Sequence, residues 1–259
     1  MGLSFHAMKS FSAEHYVTEA RLRREKVPSF EVYPFSLAAI RHLDALELHP
    51  KVTFVIGENG SGKSTLLEAI AVAWGFNPEG GTKNFRFTTR RSHSPLHECM
   101  RLVKTPKRAR DGFFLRAESF FNVATEIEHL DEEPSPAPRV IDSYGGRSLH
   151  EQSHGESFFA LMQNRFGGNG FYVLDEPEAA LSPARQLAMI LRMQELVDAH
   201  SQFVIATHSP LLMAYPDAWI YQIGGQGLTR VTLEETEHYV VAKRVLNDPH
   251  GQIARLLGR

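Results

Sequence analysis

A glycine-rich loop is the part of the sequence with the clearest chemistry. Residues 57–64 match the spacing G-x-x-x-x-G-K-[ST], in which glycines let successive backbone N–H groups face the phosphates of a nucleotide. Lys63 would add a positive charge, and the hydroxyl of Ser64 would contact Mg²⁺. We therefore expect ATP and Mg²⁺ to bind at a loop formed by Gly57, Glu58, Asn59, Gly60, Ser61, Gly62, Lys63, Ser64 and Thr65.

Two acids at the end of an apolar run supply the carboxylates that such a loop needs. Asp175 and Glu176 follow the apolar residues 171–174, and we expect Asp175 to hold the metal beside the phosphates. Glu176 is expected to orient or deprotonate the attacking water as a general base. An apolar run capped by two acids is by itself typical of a strand end that meets solvent. The phosphate loop is what favours the catalytic interpretation.

A third motif makes the sequence resemble the ABC-class ATPases, with a resemblance that covers about residues 35–223. Ser153, Gly155 and Glu156 match the family signature L-S-G-G-Q/E, whereas Gln152 and His154 depart from it. Without the resemblance, Ser153 and Gly155 would be interpreted as parts of an ordinary loop. With it, the segment is expected to contact the γ-phosphate of a bound nucleotide.

Two more segments extend this resemblance. Ser182 ends a segment similar to the family's D-loop, and His208 follows a predicted strand at the place of the family's switch histidine. The resemblance implies that His208 contacts the γ-phosphate and helps to position the water. A lone histidine after a strand is otherwise more often a structural residue.

The resemblance also implies a composite site. In this family two nucleotide-binding domains face head to tail, and the signature of one closes on the γ-phosphate held by the other. Ser153 and the N–H groups near Gly155 stand at the start of a predicted helix over 156–165, and a helix N-terminus binds anions. Since one chain cannot supply both halves, we expect an ATP-dependent homodimer with ATP at its interface.

Other candidate contacts are less specific. The family's metal-binding glutamine is missing, because no Gln occurs at positions 65–151, and Glu118 is either a substitute oxygen ligand for Mg²⁺ or a plain exposed acid. Arg41 and residues 85–91 are candidates for adenine and phosphate contacts, although solvated strand arginines look the same. The basic residues 101–110 are expected to form a solvated loop, with contact to a nucleic acid or another polyanion as the alternative.

The elements that must position these residues alternate between strand and helix, which predicts an α/β fold with a mostly parallel sheet flanked by helices. Strands are predicted at 51–56, 170–174 and 202–206, and helices at 64–73, 182–199, 236–247 and 249–257. A hairpin around residues 224–227 adds antiparallel β-structure. We expect one P-loop domain over 1–259, with a small inserted subdomain at about 76–152 that contains an exposed proline-rich loop at 131–138.

Composition narrows the classes of function. The 259 residues include 28 Lys+Arg and 30 Asp+Glu, for a net charge of −2, so a polyanion would need a local basic patch. The single cysteine, Cys99, excludes an internal disulfide framework. No apolar run approaches the roughly 20 residues of a membrane helix. We therefore expect a cytoplasmic protein without membrane insertion.

Among ABC-class ATPases, the chain is most similar to small stand-alone bacterial ATPases of the SMC and recombination-repair branch. The interval between Lys63 and Ser153 is too short for a long coiled-coil arm and has no heptads. We expect a homodimeric ATPase that acts in DNA maintenance, repair or defence, or on a protein partner. The alternatives are the nucleotide-binding subunit of a membrane transporter and, given the missing glutamine, a nucleotide switch without hydrolysis.

Overall fold

The computed structural model describes residues 15–83, 94–118, 120–132 and 138–258. The strands are β1 (Val17–Leu22), β2 (Ala45–Glu47), β3 (Val52–Ile56), β4 (Met100–Lys104), β5 (Asp111–Arg116), β6 (Gly170–Asp175), β7 (Gln202–Ala206), β8 (Ala218–Gly224) and β9 (Gly227–Val231). The α-helices are α1 (Ala38–Arg41), α2 (Lys63–Trp74), α3 (Leu96–Cys99), α4 (Phe120–Glu132), α5 (His154–Asn164), α6 (Pro183–Asp198), α7 (Pro210–Met213), α8 (Glu237–Asn247) and α9 (Pro249–Leu256). Short 3-10 helices occupy Arg24–Lys26, Val140–Tyr144, Pro177–Ala180 and Leu233–Glu235.

The larger sheet has six strands in the order β5-β6-β7-β3-β8-β9. Its first five strands run parallel, and β9 runs antiparallel beside β8. Strands β3, β6 and β7 are buried along their whole length, which explains why their sequences are continuous apolar runs. Because the five parallel strands point the same way, the loops that follow them open on one edge of the sheet.

Both faces of the larger sheet are covered. Val55 and Val204 pack into a cluster shared with α2 and with a small antiparallel sheet of order β2-β1-β4. Phe54 and Ile205, one position along in their strands, pack into a second cluster shared with α4, α5 and α6. This alternation places the larger sheet as the middle layer of a three-layer α/β domain.

The predicted fold class is confirmed. The predicted strands at 51–56, 170–174 and 202–206 are β3, β6 and β7, and the predicted hairpin is the β8–β9 pair. The helices predicted from the sequence are α2, α5, α6, α8 and α9. No helix in the part of the chain that the structure describes has both the length and the apolar character needed to cross a membrane.

The region between α2 and α5 contributes to both sheets. It supplies β4 to the small sheet and β5 to the larger one. Asp131, at the start of the proline-rich stretch, lies in the last turn of α4, where its carboxylate accepts hydrogen bonds from the N–H groups of Val140 and Ile141 at 2.5 and 2.9 Å. Residues 133–137 lie outside the described residues.

The prediction of a solvated loop at 101–110 was wrong for its first four residues. Residues 101–104 belong to β4, which pairs antiparallel with β1. Leu102 and Val103 are half-buried, whereas Arg101 and Lys104 are exposed. The apolar pair between basic side chains supplies the buried surface that a loop would lack.

Candidate functional site

The strand register brings the predicted site residues to one edge of the larger sheet. Arg116 at the end of β5 lies opposite Asp175 at the end of β6, and Asp175 lies opposite Ala206 at the end of β7. Ala206 in turn lies opposite Val55 in β3, one residue before the end of that strand. The phosphate loop, the two acids and the segment of His208 therefore leave the sheet side by side.

The phosphate loop connects β3 to α2 and needs glycine where it enters the helix. Gly62 has φ of 103°, and a Cβ atom there would lie 3.2 Å from side-chain atoms of Leu37 and Ala39. Lys63 folds back, and its Nζ donates to the carbonyl oxygens of Gly57 and Glu58 at 3.0 Å each. Burial lowers the pKa of Lys63. A partly desolvated cation inside the loop attracts an anion more strongly than a solvated one does.

The hydroxyl of Ser64 and the carboxylate of Asp175 meet across the loop. Ser64 Oγ donates to Asp175 Oδ1 at 3.1 Å. Asp175 is only 6% exposed, and burial raises its pKa to about 6, against opposing contributions from Arg116 and the Ser64 hydrogen bond. A buried carboxylate next to a hydroxyl therefore lacks full charge compensation.

These groups fit a magnesium ion that is shared with a nucleotide. Mg²⁺ in nucleotide sites is commonly held by one or two protein oxygens together with phosphate oxygens. The described residues contain no group of three or more His, Cys, Asp or Glu side chains that could hold a metal by themselves. Ser64 and Asp175 are the residues that would hold the ion.

Glu176 and His208 face each other at the same edge. Glu176 has left-handed backbone angles, φ 52° and ψ 52°, and its N–H donates to Ala206 O at 3.0 Å. Its Oε1 lies 3.5 Å from Nε2 of His208. The backbone N–H of His208 is fixed by the carboxylate of Glu178 at 2.5 Å. The predicted base and the predicted switch histidine therefore form a pair next to Asp175.

Two cavities open beside the phosphate loop. One, of about 370 Å³, is lined by Lys63, Ser64, Thr65, Glu118 and Glu176, together with Tyr33, Leu37 and loop residues. The other, of about 540 Å³, is lined by residues 57–61 and 222–225 and by Glu237 and His238 of α8. The first cavity unites most of the residues predicted for metal and catalysis.

Glu118 lies at this site, as part of an ion-pair network that the sequence analysis missed. Its side chain is 87% exposed, and Oε2 lies 3.6 Å from Arg116. Arg116 also contacts Glu68 Oε2 at 2.9 Å and Asp175 Oδ2 at 3.7 Å. Arg116 thus offsets part of the negative charge beside Asp175. In the sequence, Arg116 was marked only by its place after the apolar residues 113–115.

Tyr33 was also missed. Tyr33 is 66% exposed and lines the cavity that contains Lys63 and Glu176. Arg41, which the sequence offered as a nucleotide contact, donates instead to Glu31 at 2.7 Å and does not line either cavity among the described residues. The other candidates for such contacts, at 85–91, lie outside the described residues.

The signature segment forms the start of α5. Ser153 is its N-cap, and a capping box joins it to Glu156, whose Oε2 accepts from Ser153 N–H at 3.0 Å and from Ser153 Oγ at 2.7 Å. A Cβ atom on Gly155 would lie 2.7 Å from the carbonyl oxygen of Ala180, so α5 approaches the 3-10 helix Pro177–Ala180 closely. Ser182 caps α6, and its Oγ accepts from Arg185 N–H at 3.4 Å.

Within one chain the signature and the phosphate loop stay apart. Of the described residues that line the two cavities beside the loop, none comes from Ser153, Gly155 or Glu156. At the start of α5, Ser153 and Glu156 are exposed and Gly155 is half-buried. The structure therefore brings together Ser64, Asp175, Glu176, His208 and Glu118, and does not bring the signature to them.

Comparisons with known proteins agree with this geometry. A family model described as an AAA domain matches residues 33–125. The DNA replication and repair protein RecF of Colwellia psychrerythraea is 42% identical over 67 residues, which are 26% of this chain and 16% of that protein. The thiamine import ATP-binding protein ThiQ of Ruegeria sp. is 27% identical over 164 residues, 60% of this chain and 70% of that protein.

A solved structure shares the fold. The cbiO1 protein of Clostridium perfringens, part of the ABC transporter complex cbiONQ, has a TM-score of 0.50 and 15% identity, and the match covers 95% of this chain and 100% of that one. The resemblance to ABC-class ATPases that the motifs indicated is confirmed. The likeness to cbiO1, at 15% identity, shows the shared fold.

Proposed function

We propose that the chain binds ATP with Mg²⁺ and hydrolyses it to ADP and phosphate. The observation that carries this proposal is the 3.1 Å contact between Ser64 Oγ and Asp175 Oδ1, with Glu176 at the same cavity. Phosphate loops and acid-tipped strands occur separately in many proteins. Their contact through the two groups that would share a metal is specific to a nucleotide site.

The residues of the site divide the work among binding, orientation and proton transfer. Lys63 and the N–H groups of the loop bind the phosphates, because both present positive charge to an anion. Glu176 orients the attacking water and accepts its proton, and His208 donates a hydrogen bond to the γ-phosphate. A bound Mg²⁺ would neutralise charge on the phosphates. Glu118 would add an oxygen near the metal, as the replacement for the missing glutamine.

The working form is a head-to-tail homodimer with ATP at its interface. This proposal is supported by the start of α5, where the exposed Ser153 and Glu156 flank the half-buried Gly155 and can meet a second copy. Ser182 would lie at the same interface, next to the 3-10 helix that Gly155 contacts. A helix N-terminus that faces outward can complete an anion site on another molecule.

The test uses Glu176→Gln, which is expected to bind ATP without hydrolysing it. With ATP and Mg²⁺, light scattering after gel filtration is expected to show that Glu176→Gln is a dimer. The double variant that carries both Glu176→Gln and Lys63→Ala is expected to stay a monomer. Adding Ser153→Arg to Glu176→Gln is expected to prevent the dimer while ATP still binds. Monomers of Glu176→Gln with ATP bound would refute the composite site. Glu195→Gln, on the exposed face of α6, is the control with wild-type turnover.

For the task of the ATPase cycle, we favour DNA maintenance, repair or defence, or the remodelling of a protein partner, in the cytoplasm. The match to RecF, which is 42% identical over 67 residues, supports that choice. A pull-down with ATP-locked Glu176→Gln, scored separately for nucleic acid and protein, tests it. Recovery of neither, in the presence of ATP, would contradict both roles.

The match to ThiQ favours a second candidate, the nucleotide-binding subunit of a transporter. This alternative predicts that the chain purifies with a membrane protein and that phosphate release depends on it. A third candidate, a nucleotide switch without hydrolysis, is motivated by the absence of Gln at positions 65–151. Phosphate release by the isolated wild type clearly above that of Glu176→Gln would exclude the switch. Purification without any membrane protein, with phosphate release that no membrane protein alters, would contradict the transporter subunit.

A further inference from the structure

A second histidine contacts His208 from the C-terminal part of the chain. Nε2 of His238 lies 3.2 Å from Nδ1 of His208, with ring centroids 5.4 Å apart. His238 also lines the larger cavity beside the phosphate loop. The other ring nitrogen of His208, Nε2, points to Glu176 at 3.5 Å. The two nitrogens of His208 therefore face two different partners.

The position of His238 is fixed by the start of α8. Thr236, the N-cap, is fully buried. Its Oγ1 donates to Leu233 O at 2.7 Å and accepts from Tyr239 N–H at 3.2 Å. His238 lies in the first turn, between these anchored residues. The contact between the two rings thus depends on a well-fixed helix end.

The partner of each nitrogen dictates where the proton of a neutral His208 must lie. A bare Nε2 would face the carboxylate oxygen of Glu176, and two acceptors repel each other. The proton therefore belongs on Nε2, which makes Nδ1 the acceptor. His238 must then supply the proton between the rings, since the hydrogen bond at one imidazole nitrogen determines the state of the other.

His238 is suited to be a neutral donor. Burial lowers the pKa of His238, and the nearby His208 and Lys63 lower it further, against an opposing contribution from Glu237. The N-terminal end of α8 also disfavours a positive charge in its first turn. Nε2 of His208 is buried without a hydrogen bond in the described part of the chain. Apart from the 3.5 Å contact with Glu176, the Nε2 proton thus has no acceptor among the described residues and remains available to a phosphate oxygen.

We propose that His238 is a positioning residue for His208: its Nε2–H donates to His208 Nδ1 and thereby keeps the His208 proton on Nε2, ready for a phosphate oxygen. The value of this arrangement for turnover rests on the proposed ATPase function. The arrangement itself is a property of the nucleotide-free chain. The C-terminal helix α8 thus becomes part of the nucleotide site, although the phosphate-loop motifs end before it.

The first test reads the tautomer without any activity. The full chain with ¹⁵N-labelled histidine is studied by NMR at pH 8 without nucleotide, and His208 is assigned with His208→Gln. We expect an unprotonated Nδ1 and a protonated Nε2 in wild type, a mixture in His238→Leu, and the wild-type pattern again in His238→Gln, whose amide can donate. A proton on Nδ1 in wild type, or an unchanged pattern in His238→Leu, would overturn the proposal.

The second test measures turnover of the same proteins. His238→Leu is expected to lower kcat roughly tenfold, the effect of losing one oriented hydrogen bond, with little change in KM for ATP. His238→Gln is expected to recover most of kcat, and His250→Leu, at an exposed position in α9, to match wild type. Equal loss in His238→Gln and His238→Leu, with folding intact by thermal unfolding, would show a steric role instead. No turnover by any protein would refute the ATPase proposal and leave the NMR result standing.

Discussion

Replacing Asp175 by Asn is predicted to stabilise the metal-free protein while it abolishes hydrolysis. Asp175 is 6% exposed, and burial outweighs the help from Arg116 and Ser64, so its pKa rises to about 6. An unfolded aspartate titrates near 3.8. Ionising Asp175 in the folded protein therefore costs about 3 kcal/mol relative to ionising it in the unfolded chain. Asn keeps an oxygen for the Ser64 hydroxyl and removes the charge.

The sign of the pH dependence follows from the raised pKa. The folded protein binds the proton more tightly, so this contribution to stability is fully present below about pH 4 and is lost as the pH rises through about 6. Asp175→Asn is thus expected to be more stable than wild type by about 3 kcal/mol at pH 7.5, and by roughly half of that at pH 5. Other titrating groups cancel in the comparison of the two proteins.

Urea unfolding in EDTA at pH 7.5 and pH 5, analysed by linear extrapolation, measures this difference. The control is Asp217→Asn, because Asp217 is 62% exposed on its side chain and its pKa is lowered by the hydrogen bond from Lys51. It is expected to show no gain at pH 7.5. If Asp175→Asn is no more stable than wild type at pH 7.5, or if its advantage is the same at both pH values, then burial of an ionised Asp175 is not a source of instability.

Two further predictions concern contacts away from the phosphate loop. Gly155→Ala is expected to destabilise the protein by about 1–3 kcal/mol in thermal or urea unfolding, because the new Cβ would lie 2.7 Å from Ala180 O. Gly225→Ala is the control, because a Cβ atom there would meet nothing within 4 Å. Equal stability of the two variants would contradict this prediction. Burial by itself would raise the pKa of Asp111, but hydrogen bonds from Gly167 and Tyr172 and the charge of Arg165 outweigh it and lower the pKa. Asp111→Asn is therefore expected to cost about 1–3 kcal/mol at pH 7, and its deficit against wild type should shrink as the pH falls below about 4; a deficit independent of pH would contradict this.

The sequence predicted the central strands because burial on both faces leaves a simple pattern. β3, β6 and β7 are largely apolar runs, and candidate catalytic or ligand-binding residues lie at or just after their ends. Parallel strands bring those ends to one edge of the sheet. Ser64, Asp175 and His208, which the motifs singled out, all lie at that edge. β4 and β5 were harder, since β4 carries basic side chains on a half-exposed sheet and its pairing partner β1 lies about eighty positions earlier in the chain.

The rest of the site depends on contacts between residues far apart in sequence. Arg116 reaches Glu68 and Asp175 only because β5 docks beside β6. His238 reaches His208 because α8 returns to the phosphate loop. A single ionisable residue in a strand end or a helix start has no periodicity that would mark it. Such residues become visible only once the sheet order and the helix docking are known.

The backbone of Glu176 argues that its side chain is needed. A non-glycine residue held at φ 52° and ψ 52° costs of order 1–3 kcal/mol, and glycine would adopt the same angles without this cost. The cost adds to that of the buried Asp175 at the preceding position. The end of β6 can tolerate the buried Asp175 and the strained Glu176 because β6 lies between β5 and β7. The backbone N–H of Glu176 also donates a hydrogen bond to the carbonyl oxygen of Ala206. Strain and charge at the end of a fully buried strand lower stability, so their presence indicates that this position is selected for chemistry rather than for stability.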